Sequence, residues 1–182
     1  MNNHSQKSII PDNYSVLISE AEIEQRLETL GKEIAQDFKG TTPILIGVLN
    51  GGFIFLADLI RHINIDLEID FIRISSYGNQ RESTGHVKVL KPLSADIAGR
   101  HVIVVEDIVD SGLSVKFLNN MMSAFNPARL KFASLLHKPS KTVADIKLDY
   151  VGFEIEDKYV VGYGLDDQQI KRNLRDIFVI QV

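Results

Sequence analysis

The chain has 182 residues, 45% hydrophobic and 24% charged, enough for one well-buried domain over 1–182 and too few for two ordinary ones. A net charge of −4 with no run of Lys and Arg gives no electrostatic footprint for nucleic acid, and the lack of cysteine excludes disulfides and thiolate chemistry. Residues 1–13 are polar and predict a loose tail, not a secretory signal. The most apolar stretch, Ile44 to Ile60, is interrupted by Asn50, two glycines and Asp58, short of the roughly 20 apolar residues of a membrane span, so a cytoplasmic protein is expected.

In chain order, Ser19-Glu20-Ala21-Glu22 has the form of a capping box, and Ile23, Leu27, Leu30, Ile34 and Phe38 follow at helical spacing. Pro43 to Leu49 predicts a buried strand, which Gly51-Gly52 turns into a helix carrying Phe53, Leu56, Leu59 and Ile60. Leu67 to Ser75 predicts a strand. The polar segment from Ser76 to His86 has almost nothing to bury and predicts a mobile loop, with Val87 to Leu90 returning as a hairpin arm. Val102 to Val105 predicts a short strand inside a parallel sheet. Further strands are expected at Leu130 to Leu136, Tyr150 to Ile155, Val160 to Tyr163 and Phe178 to Ile180. Strands alternating with helices imply an α/β fold with a mostly parallel sheet covered on both faces.

The most informative stretch runs from Val102 to Ser114. Glu106 and Asp107 sit side by side where the predicted strand ends, and a third acid, Asp110, opens the small polar turn Asp110-Ser111-Gly112-Leu113-Ser114 before a helical pattern. The first amides of a helix lack partners, and its dipole favours negative charge there, so this turn suits a phosphate. Acids at a strand's carboxyl end belong to the crevice where open α/β sheets bind ligands. Together they suggest a phosphorylated sugar with neighbouring hydroxyls and a magnesium ion. Each part also has a plainer reading: solvated surface acids, ordinary turn chemistry, or helix capping by Ser111 and Ser114. Neither the P-loop nor the dinucleotide-binding glycine pattern is present.

The combination resembles the phosphoribosyl-diphosphate signature of type I phosphoribosyltransferases. Leu49-Asn50-Gly51-Gly52, Phe55 to Leu59, Ser75 to Gly78, Leu136-His137-Lys138-Pro139 and Val160 to Asp166 are similar, in order, to segments of the hypoxanthine-guanine branch. The resemblance runs from about Ile18 to Ile180 and implies a twisted sheet flanked by helices, a small hood and a flexible lid. It also implies a reaction in which a 6-oxopurine displaces pyrophosphate from 5-phosphoribosyl 1-diphosphate.

Carried over by position, the resemblance places Glu106 and Asp107 at the ribose hydroxyls and at magnesium. Asp110 falls near the purine's imidazole ring as an acid–base group. The amides from Asp110 through Ser111, Gly112, Leu113 and Ser114 fall at the 5-phosphate. Asn50, Gly51 and Arg172 match the pyrophosphate site. Ile108, Lys138, Tyr159, Val160 and Asp166 match the purine pocket, with Lys138 reading the exocyclic oxygen, Tyr159 stacking, and Asp166 serving a second magnesium. On residue chemistry alone, Lys138 is a solvated turn residue. Ser76 and Tyr77 match the lid that closes over the reacting centre. Two departures stand out: Asn50 replaces the usual Lys or Arg, and Asp167 stands where Tyr is common. The family carries a non-proline cis peptide at the position of Leu49-Asn50, and its members are homodimers or homotetramers. A xanthine-preferring enzyme keeps the same residues. A fold-sharing regulator that binds nucleic acid fits poorly, because all three acids are present and the net charge is negative.

Overall fold

The computed structural model describes residues 10–77 and 86–180. The predicted capping box forms at the start of the first long helix. The amide of Ser19 donates to Glu22 Oε2 at 2.8 Å and the amide of Glu22 donates to Ser19 Oγ at 3.3 Å. This fixes α1 (Glu20–Asp37), whose stripe of Ile23, Leu27, Leu30 and Ile34 is buried. Strand β1 (Tyr14–Ile18) precedes it and was not expected from the sequence.

β2 (Ile44–Leu49) is buried along almost its whole length, as a run without alternation requires in the middle of a sheet. It leads into α2 (Phe53–His62), which buries Phe55, Leu56 and Leu59. β3 (Glu68–Tyr77) and β4 (His86–Lys91) form the expected hairpin, paired antiparallel with Tyr77 opposite His86. β5 (His101–Val109), α3 (Leu113–Ser123), β6 (Arg129–His137) and β7 (Tyr150–Glu154) follow, then β8 (Val160–Val161) and β9 (Ile177–Ile180).

Six strands make one sheet in the order β4-β3-β2-β5-β6-β7, parallel except at the β3/β4 hairpin. One face packs α1 and α2 through Leu27, Leu30, Phe55, Leu59, Ile103 and Val105. The other packs α3 through Ile46, Val104, Val115, Leu118 and Met122. Each fully buried Leu or Ile of this kind stabilises the fold by about 1.5–3 kcal/mol of transfer free energy. Arg26 of α1 donates to the carbonyls of Val151 and Gly152 on the edge strand β7 at 2.6 and 3.0 Å, tying the helix to that strand. A second, antiparallel sheet, β1-β9-β8, is the hood.

Four expectations are corrected. The strand predicted to end at Val105 continues to Val109, because Ile108 and Val109 pair with Leu136 and His137 of β6; Glu106 and Asp107 therefore lie on the strand. The backbone of Ser76 and Tyr77 belongs to β3, held opposite Val87 and His86, and is not loop; residues 78–85 of the predicted lid lie outside the described residues. The strand predicted over Val160 to Tyr163 stops at Val161, since Gly162 and Tyr163 have φ of 97° and 49°. Of the predicted tail, Ile10 packs against a small hood cluster of Val161, Leu174 and Phe178.

Candidate active site

The strands β2, β3 and β5 end at a common cleft of about 510 Å³, roofed by the segment between β8 and β9. Its lining includes Asn50 and Gly51 after β2, Arg73 and Ser75 on β3, Glu106, Asp107 and Ile108 on β5, and Ser114 at the start of α3. Asp166, Gln169 and Arg172 come down from the hood side. Chain topology explains the meeting: parallel neighbours all deliver their carboxyl ends to the same edge of the sheet.

The pair Glu106–Asp107 dominates the electrostatics. Burial pushes Glu106 well above the usual carboxylate range, and the neighbouring Asp107 charge adds to it. Burial likewise raises Asp107 to about 6, opposed by the backbone amide of Ile108 and by Arg172. That amide donates to Asp107 Oδ1 at 2.9 Å. The Asp107 carboxylate also lies directly on Gly51, where an added Cβ would fall 1.5 Å from Oδ2. A larger residue there would displace that carboxylate from its place in the cleft. The peptide Leu49–Asn50 is cis.

Arg172 is fixed in the cleft by Asp166 Oδ1 at 2.7 Å and by the carbonyl of Gly164 at 2.7 Å. Gly164, at φ 98°, approaches the Gly51 carbonyl so closely that a Cβ would lie 2.3 Å from it. The hood loop and the loop after β2 are therefore in contact around the cleft. Asp166 spends its charge on Arg172 and on the amide of Gln169 at 2.8 Å. Among the described residues, no three acid, His or Cys side chains converge on one metal point. Asp166, expected at a second magnesium and not beside Glu106 and Asp107, lines the same cleft paired with Arg172. Glu106 and Asp107, adjacent acids with no ion pair among the described residues, have the chemistry to hold one hard oxygen-seeking cation that keeps water and substrate ligands.

At the start of α3 the N-cap is Gly112, in the left-handed region at φ 79°, with no side-chain cap. Ser111 Oγ accepts only a long bond of 3.4 Å from the Leu113 amide. Capping therefore does not account for Ser111 and Ser114 as it accounts for Ser19 on α1. The Ser111 carbonyl accepts from the amides of Val143 and Ala144 at 3.1 and 3.2 Å, which straps the turn in place while the helix end stays open for an anion.

Beside the cleft, Lys138 is buried, contrary to its reading as a solvated turn residue. Its amide donates to the Val109 carbonyl at 3.0 Å, so the chain leaving β6 is held beside the end of β5. The ammonium is compensated by Asp110 Oδ1 at 3.1 Å and Asp157 Oδ1 at 3.3 Å. Lys141 spans the same two acids at 3.4 and 3.2 Å. Tyr159 presents a half-exposed ring, its hydroxyl donating to the Asp166 carbonyl at 3.4 Å, and Val160 is buried beside it. Residues missed from the sequence are Arg73, Gln169, Lys141 and Asp157. For Arg73 a clue existed: it lies two positions before Ser75 and so shares its face of β3.

A model of the phosphoribosyl transferase domain matches residues 16–168. The chain belongs to the phosphoribosyl transferase family. It is 46% identical over 170 residues to the hypoxanthine-guanine phosphoribosyltransferase of Bacillus subtilis, covering 93% of this chain and 94% of that one. It is 42% identical over 161 residues to the hypoxanthine phosphoribosyltransferase of Escherichia coli, covering 87% and 90%. A crystal structure of a Bacillus anthracis hypoxanthine-guanine phosphoribosyltransferase superposes with a TM-score of 0.88 at 48% identity, over 91% of this chain and 98% of that one. As a member of this family, the chain has its type I fold: a mostly parallel sheet with flanking helices.

Proposed function

We propose that the chain is a purine-salvage enzyme that moves the 5-phosphoribosyl group from 5-phosphoribosyl 1-diphosphate to hypoxanthine, and to guanine, releasing pyrophosphate. The observation that carries this reading is the Glu106–Asp107 pair, Glu106 buried and Asp107 half-buried, set between the open start of α3 and the Gly51–Arg172 wall. The 5-phosphate rests on the amides of the Ser111–Ser114 turn, and the ribose hydroxyls face Glu106 and Asp107. Pyrophosphate lies against Gly51, Asn50 and Arg172, a planar cation with several donors.

In the reaction the anomeric C–O bond to pyrophosphate breaks as the purine nitrogen bonds to that carbon from the opposite side. Cationic charge develops on the ribosyl ring, and carboxylates aimed at it favour the transition state over the ground state. The ring-nitrogen proton passes to Asp110. Lys138 donates to the exocyclic oxygen, which an amino group at that position would oppose. Tyr159 stacks on the base, with Ile108, the Val160 backbone and Asp166 at its edges, while Ser76 and Tyr77 help exclude water. A bound magnesium ion on Glu106 and Asp107 would neutralise pyrophosphate charge. We place the enzyme in the cytoplasm as one 182-residue domain working as a homodimer or homotetramer. Among the described residues, no helix is long and apolar enough to cross a membrane.

Steady-state rates with magnesium, phosphoribosyl diphosphate and hypoxanthine, guanine, xanthine or adenine test the proposal. Turnover with hypoxanthine and guanine and at least about 100-fold less with adenine is expected, the scale at which an unmatched polar group is rejected. Comparable use of adenine, or no turnover with any base, contradicts it.

A further inference from the structure

We propose that Asp157 is a positioning residue for the purine half of the site, an inference that rests on the function proposed above. The chain leaves the main sheet at the end of β7 and enters the hood at β8, and residues 155–159 make that crossing. At its start the Ile155 amide is held by the His137 carbonyl at 2.9 Å; at its end the Tyr159 carbonyl accepts from the Ile180 amide at 3.3 Å. Between these anchors the chain makes a tight local turn, with the Lys158 amide donating to the Glu156 carbonyl at 2.7 Å. Ile155 packs partly buried against the main core; beyond it residues 156–159 are exposed, so the side-chain tether of the turn itself is ionic.

That tether is one oxygen. Asp157 Oδ1 lies 3.3 Å from Lys138 Nζ and 3.2 Å from Lys141 Nζ. Both lysines also reach Asp110, through its two different oxygens, so four charges alternate around a closed ring. Two consequences follow for a bound base. Tyr159, two residues beyond Asp157, has its approach to the cleft set by where this turn is pinned. The buried Lys138 ammonium keeps a carboxylate neighbour when a purine draws it or Asp110 away, which preserves its charge. Asp157 thus couples the stacking ring to the cation that reads the exocyclic oxygen, without touching the base itself. Asp110 and Lys138 match the family signature; Asp157 and Lys141 enter through geometry alone.

The test compares Asp157→Asn, Asp157→Glu and Lys141→Met with wild type, measuring KM for hypoxanthine and for phosphoribosyl diphosphate separately, with thermal melting as a check on folding. Asp157→Asn is expected to raise the hypoxanthine KM roughly fivefold, the size of one partly exposed ion pair. The phosphoribosyl-diphosphate KM should stay within about twofold. Asp157→Glu should restore most of the purine affinity, and Lys141→Met should shift the same constant in the same direction by less. A folded Asp157→Asn variant with unchanged hypoxanthine KM, or one that raises both constants equally, overturns the proposal. If Asp157→Asn does not fold, an unchanged hypoxanthine KM in Lys141→Met overturns it. Failure of wild type to use hypoxanthine at all would instead strike the functional reading on which it rests.

Discussion

Replacing Asp110 by Asn is expected to lower turnover by roughly 10²-fold or more while leaving the binding of phosphoribosyl diphosphate nearly intact. The two side chains have the same shape, so the turn from Asp110 to Ser114 and its strap to Val143 and Ala144 should persist. What goes is the acceptor for the purine's proton and one of the two carboxylates beside the buried Lys138 ammonium. Single-turnover rates with hypoxanthine, together with calorimetric titration of phosphoribosyl diphosphate, separate the two effects. Near-normal turnover would remove Asp110 from the chemistry, whatever the binding result.

The second large effect is expected at Asp107, and it has opposite signs for stability and activity. Asp107 is held at about 6 in the folded protein, chiefly by burial, against roughly 4 for an exposed carboxyl. Between those two values the folded state binds more protons than the unfolded chain, so stability falls as pH rises through that window. Below the unfolded value both states are protonated and the penalty disappears. Asp107→Asn removes the penalty and also relieves Glu106, whose own elevation owes part to the Asp107 charge. The variant should therefore melt a few degrees above wild type at pH 7.5 without ligand, with the gap closing near pH 4. Its turnover should fall by about 10²-fold or more, as for other groups placed against developing charge. Melting curves across pH 4 to 8 check the first part; a variant less stable than wild type at pH 7.5 would mean that Asp107 is a structural ion and not a strained functional one.

Local features were legible in the sequence wherever the determining residues are close in the chain. The Ser19–Glu22 box, the buried run of β2 and the strand–turn–helix at Val102 to Ser114 each depend on neighbours within a turn or two. The hood strand β1 was not legible because its partner is β9, at the far end of the chain, and five residues of mixed polarity carry no periodicity strong enough to stand alone. The extension of β5 past Val105 escaped for a related reason: two acids look like a strand end until β6 supplies the pairing that holds them in register. Lys138 read alone as a surface residue, since a buried ammonium is tolerable only with carboxylates that sequence order does not place beside it. Asp157, Lys141 and Gln169 stay exposed, and what chain order hid is only which groups they meet. By contrast, Glu106, Asp107, Asp110 and Ser114 fall within one short segment, whose order suggested a phosphate site beside paired acids, while the role of each came only from the resemblance.

The most direct test of the central claim is the position of the 5-phosphate in a crystal of the enzyme grown with its nucleotide product. The phosphate should sit on the amides of residues 111–114 at the start of α3, with the ribose hydroxyls turned to Glu106 and Asp107. A phosphate seated anywhere else, with that helix end facing only solvent, would contradict the account.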